Sequence, residues 1–199
     1  MNEDAADAVL LRCVRTDPDA LEILYRRYVD RVVSYAARRC DQPADVADLV
    51  AATFLAVLES ASTYDSARGD ALPWILGIAA RIQSRKRRRL WREREALARS
   101  GGSRALTPDD FAALERAIDA SRRHGRVDEA MQRLSPRHRE VLLLVGFDGL
   151  DHEQAAAVLG LSPGAFRNRL MRARRALCHV LLPEPANPAP ETKMQAGTS

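Results

Sequence analysis

The sequence predicts an all-α protein built from two small helical domains joined by a flexible linker. Apolar residues recur three and four positions apart through most of the chain, and a capping residue precedes a proline at three places where such a pattern begins. Alanine, leucine and arginine are abundant and aromatic residues make up only 5% of the chain, a composition that favours helices. We assign residues 1–95 to the first domain, 96–125 to a partly helical linker, 126–182 to the second domain and 183–199 to a tail.

The first domain opens with three amphipathic segments. A short apolar series ends at Thr16-Asp17-Pro18, which caps and restarts the helix, and apolar residues then recur at helical spacing to about Arg39. After Pro43 a third helix carries a wide apolar stripe. The stripe consists of Val46, Leu49, Val50, Thr53, Phe54 and Val57. A stripe of this width either serves two partners or packs only within its own domain, and periodicity favours the second interpretation.

A polar loop and a long basic helix complete the first domain. Residues 64–70 contain turn-forming residues that do not continue a helix comfortably. After Pro73, an apolar stripe indicates the buried side of a helix whose other side is almost wholly basic. Residues 81–94 hold eight basic residues and one acid. Because such cations repel one another unless an anion compensates them, nucleic-acid phosphate explains them better than a solvated helix face does.

These features suit the capture of a separated DNA strand. Strand separation requires an unstacked base to be held in a pocket or stacked on an aromatic ring, while cations hold the displaced phosphates. Tyr64, Trp74 and the basic cluster at 85–89 supply those groups. Trp74 also lies on the apolar stripe, so a core position and a stacking role explain it equally well.

The linker and the tail have compositions that do not support a core. Residues 96–107 are small and polar with two adjacent glycines, which predicts a flexible tether. Residues 108–134 regain helical character, with a break near Gly125. Residues 183–199 contain four prolines and few apolar residues, so we expect them to be disordered.

Three capped helices are predicted in the second domain. Ser135 and Ser162 each precede a proline at the first helical position, and Asp151 has Gln154 three residues later, which is the capping-box spacing. Gly160 ends the middle helix. A short helix, a glycine turn and a second helix capped by serine form the helix-turn-helix pattern.

The last predicted helix presents arginines on the side that its core does not use. Phe166, Leu170, Ala173 and Leu177 fall on the inward stripe. The outward side carries Gly164, Ala165, Asn168, Met171, Arg172 and Arg175, with Arg167 and Arg169 on the flanks. Arginine fits guanine edges or phosphates and asparagine pairs with adenine, so DNA is the expected partner. A solvated arginine-rich face is the alternative. The formal net charge of +4 understates this clustering.

The second domain also resembles a known family. RLSPRHREVLLLVGFDGLDHEQAAAVLGLSPGAFRNRLMRARRAL, residues 133–177, resembles region 4 of bacterial sigma factors of the extracytoplasmic-function group, which binds the promoter −35 element. The segments LYRRYVDRVVSYAARRC, DVADLVAATFLAVL and YDSARGDALPWILGIAARIQSRKRRR follow in the order of region 2 of the same group. The resemblance departs from the usual pattern at Ala51-Ala52, where the group has Gln followed by an acid, and at Ala80-Arg81, where it has Arg-Asn.

The resemblance implies a function, partners and site residues. It implies a sigma factor that directs core RNA polymerase to specific promoters and initiates transcription by DNA binding and promoter melting. The implied partners are the β′ clamp helices and β flap of core polymerase and promoter DNA, with an anti-sigma factor as a further candidate. The implied −35 contacts are Ser162, Gly164, Arg167, Asn168, Arg169, Arg172 and Arg175. The implied −10 contacts are Tyr64, Arg68, Trp74, Arg81, Arg85, Lys86 and Arg88. The implied polymerase contacts are Asp48, Leu49, Val50, Thr53 and Phe54.

Other classes of function lack their sequence signatures. No nucleophile with a base, paired carboxylates or phosphate-cradling glycine loop occurs, so we expect no enzymatic activity and no cofactor. Cys13, Cys40 and Cys178 lack zinc-site spacing and are interpreted as reduced thiols of a cytoplasmic protein without a bound metal. No apolar run approaches the length of a membrane span, so no membrane insertion is expected. The remaining alternatives are a dimeric helix-turn-helix regulator that never touches polymerase and an interaction protein whose helix-turn-helix is vestigial.

Overall fold

A computed structural model describes residues 5–97 and 126–182, with side chains described in 5–89 and 127–182. The predicted tail and the linker from residue 98 to residue 125 lie outside the described residues. The described chain is helical with no strand, which confirms the all-α prediction for those ranges. We number the helices α1 (Asp7–Cys13), α2 (Pro18–Ala37), α3 (Pro43–Ser60), α4 (Ala71–Leu97), α5 (Arg126–Arg133), α6 (Pro136–Gly146), α7 (His152–Leu159) and α8 (Pro163–Leu181).

The first domain packs α1 to α4 around one core. The Asp17 carboxylate accepts a hydrogen bond from the Asp19 amide at 3.0 Å and begins α2, as predicted. The buried residues of α3 are the six predicted for its apolar stripe. Two short 3₁₀ turns, Ala61–Thr63 and Ser66–Arg68, lead from α3 to α4 in place of a fully irregular loop.

The caps predicted for the second domain are all present. The Ser135 and Ser162 hydroxyls accept hydrogen bonds from the amides of His138 and Ala165, each at 3.3 Å. Asp151 and Gln154 form a complete capping box at the start of α7. Gly160 ends that helix with φ of +62°, a left-handed conformation that favours glycine. These local signals fix the geometry of the helix-turn-helix.

The two domains pack directly against each other, which the sequence did not predict. Helix α7 of the second domain lies along α4 of the first, and a Cβ added at Gly77 would lie 3.9 Å from the Cα of Val158. Small residues at this crossing allow the close approach of the two helices. The two domains therefore do not have separate cores. One cluster of buried residues runs through both domains, and a smaller one contains Met131, Leu134 and Leu143.

Helix α3 and the turn after it are long and apolar enough to cross a membrane by length and composition. The segment Pro43–Thr63 has 21 residues and a mean hydropathy of 1.4. The expectation that no apolar run approaches such a length is wrong for this segment. In the structure, α3 buries its apolar stripe in the core of the first domain.

Candidate nucleic-acid interface

Helix α8 presents an exposed cationic side opposite a buried apolar one. Phe166, Leu170 and Ala173 are buried, and Leu177 is half-buried. Of the seven residues implied to contact the −35 element, Gly164 and Arg169 are half-buried. Five are exposed: Ser162, Arg167, Asn168, Arg172 and Arg175. The predicted orientation of the helix is thus reproduced in the structure.

The arginines of α8 are not neutralised within the described part of the chain. The helix contains five arginines and no acid, and no acidic side chain of the described residues forms an ion pair with them. Guanidinium groups without a carboxylate partner can donate to phosphate oxygens or to base edges. The exposed side of α8 therefore has the chemistry of a DNA-binding surface.

A cleft of about 950 Å³ lies between the two domains and gathers most of the implied −10 residues. Six of the seven line it: Tyr64, Arg68, Trp74, Arg81, Arg85 and Arg88. We call this set of six residues the −10 face. The other wall of the cleft belongs to α7 and its N-terminal cap.

The two aromatic residues of the −10 face contact each other at the edge of the core. The rings of Tyr64 and Trp74 meet edge to face, with centroids 5.4 Å apart. The Tyr64 hydroxyl donates to the Gly69 carbonyl at 3.1 Å, and burial raises the pKa of that hydroxyl. Trp74 is half-buried: it packs against the core and also lines the cleft, and its stacking on a base stays a prediction.

Lys86 is the exception among the implied −10 contacts, because it does not line the cleft. Its ammonium group forms an ion pair with Asp45 and lies 3.9 Å from Asp48, both on α3. The hydrogen bond to Asp45 is the main cause of the raised pKa of Lys86. Two acids of α3 thus hold the Lys86 ammonium group outside the cleft.

Four of the five residues implied to contact polymerase lie in the core. Leu49, Val50, Thr53 and Phe54 are buried, and the Thr53 hydroxyl donates to the Leu49 carbonyl at 2.6 Å. Only Asp48 is exposed. In this structure the four buried side chains are not accessible to a partner.

Sequence reasoning missed an exposed apolar residue on the same helix. Leu55 is 61% exposed, and it lies four residues after the exposed Ala51 and seven after Asp48. These spacings place the three residues on one side of α3, which we call the outer edge of α3. The sequence could have revealed this residue, because Leu55 is a leucine that lies outside the predicted buried stripe of α3.

Sequence reasoning also missed a polar cluster between the domains. Asp148, which is 4% exposed, accepts hydrogen bonds from Arg38 Nη1 at 3.2 Å and from Arg39 Nη2 at 2.7 Å. Arg39 Nε donates to Glu140 at 2.9 Å, and Arg31 donates to the Asp148 carbonyl. We call Arg31, Arg38, Arg39, Glu140 and Asp148 the interdomain cluster.

The buried guanidinium of Arg39 remains charged in this cluster. Burial alone would lower its pKa, but interactions with Tyr35, Glu140 and Asp148 more than offset that effect, and the net shift is upward. The Arg39 guanidinium also lies over the Tyr35 ring, 3.6 Å from its centroid. The cluster therefore joins Arg31 of α2 and two arginines that directly follow this helix to the second domain.

Comparison with known proteins covers both domains. The family model described as Sigma-70 region 2 matches residues 24–93, and the one described as Sigma-70, region 4 matches residues 124–177. RNA polymerase sigma factor CarQ of Myxococcus xanthus is 34% identical over 163 residues, which are 82% of this chain and 90% of CarQ. RNA polymerase sigma factor NccH of Alcaligenes xylosoxydans xylosoxydans is 31% identical over 182 residues, 88% of this chain and 94% of NccH.

Two solved structures share the fold. CnrH, in complex with the cytosolic domain of CnrY, matches with a TM-score of 0.61 at 24% identity, covering 91% of this chain and 100% of CnrH. The sigma factor RpoE of Bartonella quintana, in complex with the anti-sigma factor NepR, matches with a TM-score of 0.58 at 22% identity, covering 82% of this chain and 96% of RpoE.

Proposed function

Because this chain belongs to the extracytoplasmic-function group of RNA polymerase sigma factors and so directs core polymerase to promoters, we propose that it binds a promoter with two separate surfaces. The exposed side of α8 reads the −35 element in the major groove, and the −10 face captures the melted downstream strand. The single observation that carries the proposal is the gathering of six of the implied −10 residues in one cleft. The role requires no catalytic step by this chain and takes place in the cytoplasm with the polymerase.

At the −35 element, α8 would supply both base contacts and phosphate contacts. Asn168 and Arg172 project from the exposed side of the helix, opposite the buried Phe166 and Leu170. Arginine pairs with guanine and asparagine with adenine in the major groove, while flanking arginines neutralise phosphates. We assign the base contacts to Asn168 and Arg172 and the phosphate contacts to Arg167 and Arg175.

At the −10 element, the cleft would take an unstacked base and its backbone. The Tyr64–Trp74 pair offers aromatic surface, and Arg81 and Arg85 are exposed on the next two turns of α4. Stacking on an aromatic ring and a cationic track along the backbone are the two features that single-strand binding requires. We leave Lys86 out of this site because it is paired with Asp45.

Polymerase docking would use the outer edge of α3 in place of the buried stripe. Leu55 supplies apolar surface and Asp48 supplies a charge two helical turns before it. The buried residues Leu49, Val50, Thr53 and Phe54 hold the helix in the core. Exposed apolar side chains with a polar rim are typical of protein interfaces. Ala51 and Ala52 leave this edge with fewer polar contacts than the family pattern provides.

Leu55→Asp tests this docking assignment. The substitution should weaken retention of the full chain on immobilised core polymerase about tenfold or more, because a charge replaces the apolar centre of the contact. Val9→Asp places the same change on α1, where Val9 is 38% exposed, and should leave retention unchanged. Equal retention of Leu55→Asp and wild type, with unaltered circular dichroism, would remove α3 from the polymerase interface.

An anti-sigma factor is proposed as a further partner. The two solved structures with this fold, CnrH and RpoE, each contain a second protein, and in the RpoE complex that protein is an anti-sigma factor. Co-purification of the full chain from its native host, followed by identification of any stoichiometric partner, tests the proposal. A partner that blocks binding of core polymerase would support it, and one that leaves polymerase binding unchanged would oppose it.

In vitro transcription from a library of randomised promoter templates tests the proposed function as a whole. Core polymerase, the full chain and supercoiled templates with randomised upstream sequence should yield transcripts that share two upstream elements. Permanganate should then modify thymines at the downstream element. A footprint without strand opening would favour the dimeric regulator, which the named relatives do not favour. The absence of both a footprint and a transcript would favour a vestigial helix-turn-helix.

A further inference from the structure

We propose that Tyr64 is a positioning residue for the recognition of the −10 element. Its hydroxyl closes the loop of residues 64–70 onto the Gly69 carbonyl, and this closure holds Arg68 where its guanidinium group reads the edge of an unstacked base. The inference rests on the proposed function of the −10 face. It adds which side chain of that face selects the base and which one fixes the selecting group in place.

The first step of the argument is that the loop is closed by hydrogen bonds of its own. The Tyr64 hydroxyl donates to the Gly69 carbonyl at 3.1 Å. The Asp65 carboxylate accepts from the Ala67 amide at 3.0 Å, and the Arg68 amide donates to the Asp65 carbonyl at 3.0 Å. All three bonds lie within the loop, so they do not depend on the contact with the second domain.

The second step is the backbone conformation at the acceptor of the closing bond. Gly69 has φ of +135°, a region that L side chains rarely adopt. A Cβ added at Gly69 would meet no heavy atom within 4 Å, so the requirement for glycine comes from the backbone and not from a lack of space. Alanine at this position would strain the backbone next to Arg68 and displace the carbonyl that Tyr64 binds.

The third step is that Tyr64 connects the loop to the core. Its ring packs against the core and meets the Trp74 ring edge to face, while its hydroxyl binds Gly69 at the other end of the loop. The fold thus fixes the ring, and the hydroxyl fixes the loop. Because the hydroxyl proton is already donated to Gly69, Tyr64 acts on the base through the loop.

The fourth step is the group that the loop presents to the cleft. Arg68 lines the cleft and its side chain is 87% exposed. Its ion pair with Asp65 is solvent-exposed, at 3.8 Å, and such pairs contribute little energy, so the guanidinium group can exchange this contact for DNA. Arginine offers parallel donors to the edge of a base, and a contact of this kind is selective when the backbone beneath it is held in advance.

Tyr64→Phe tests the closing bond, because it keeps the ring and removes the hydroxyl. The probes for the holoenzyme, assembled from core polymerase and the full chain, are fluorescein-labelled single strands. One carries the downstream element shared by the library transcripts, and the others change each of its positions in turn. Tyr64→Phe should reduce the preference at one position about three- to tenfold, the value of one net hydrogen bond. Arg68→Ala should reduce the preference at the same position. Tyr25→Phe, on an exposed residue outside the cleft, is the matched control and should not alter it.

Gly69→Ala tests the same bond from its acceptor side and guards against misfolding of the first variant. It should reduce the preference at the position that Tyr64→Phe affects. Gly146→Ala is its matched control, because Gly146 also has open space for a Cβ but has no positive φ. Adding Tyr64→Phe to Arg68→Ala should cause no further loss, since Tyr64 acts through Arg68. Circular dichroism should be the same for all variants.

The outcomes separate this inference from the proposed function. Unchanged preference in Tyr64→Phe, a loss at a different position from that of Arg68→Ala, or a further loss in the double variant would overturn the positioning role. If Arg81→Ala weakens binding of every strand while this role fails, the −10 face binds DNA and only the inference is wrong. If neither Arg81→Ala nor Trp74→Ala weakens the binding of any strand, the −10 assignment itself is wrong.

Discussion

The two cationic surfaces of the molecule differ in their surroundings more than in their chemistry. Both present exposed arginines, yet α8 faces solvent whereas the −10 face lies in a cleft whose other wall includes Asp151 and Glu153. The difference teaches that local sequence decides which residues a helix exposes, while the packing of the two domains decides which residues lie opposite them. The predictions below probe each side of this comparison.

The largest effect is expected from the loss of the core beneath α8. Phe166 is fully buried, and Phe166→Ala should lower the free energy of unfolding by about 3–5 kcal/mol because it removes apolar contacts and leaves a cavity. Denaturant unfolding measures the change. Met171→Ala, at a side chain 63% exposed on the same helix, should cost under about 0.5 kcal/mol. Similar costs for the two variants would show that α8 does not pack as described.

A smaller effect is expected at the exposed side of α8. Arg172→Ala should cost about 1–3 kcal/mol in binding to the selected −35 duplex and much less on random duplex, because it removes a base contact. Arg174→Ala is the control, because it removes the same charge from an exposed position outside the predicted DNA-binding side of α8. Competition titrations with both duplexes measure the preference. Equal weakening on both duplexes would make Arg172 a phosphate contact.

The smallest effect is expected within the basic run of α4. Arg85→Ala should reduce the slope of log affinity for single strands against log salt by about 0.7, the value for one neutralised phosphate. Lys86→Ala should leave the slope unchanged, since Lys86 is paired with Asp45 and lies outside the cleft. Both variants are measured in the otherwise unchanged full chain. A slope that falls for Lys86→Ala would add that residue to the strand contacts.

Features set by near neighbours in sequence were predictable. The capping box of Asp151 and Gln154 and the left-handed Gly160 were found because each depends on residues within one helical turn. The buried stripe of α3 was predicted residue by residue, because periodicity reports which side of a helix is apolar.

Features set by distant partners were not predictable. Lys86 was placed with the other cations, because nothing in the sequence indicates that Asp45, 41 residues earlier, lies beside it. Arg39 and Asp148 are 109 residues apart, and their contact depends on how the two domains pack. Phe54 and its buried neighbours on α3 were assigned to polymerase binding because a family motif records positions without their exposure.

One measurement tests the contrast between the two surfaces most directly: the affinity of the full chain for a −35 duplex and for a single strand, compared between Arg172→Ala and Arg85→Ala. We predict that Arg172→Ala weakens duplex binding and leaves single-strand binding nearly unchanged, and that Arg85→Ala does the reverse. Loss of both affinities in each variant, or of neither affinity in either variant, would contradict the account.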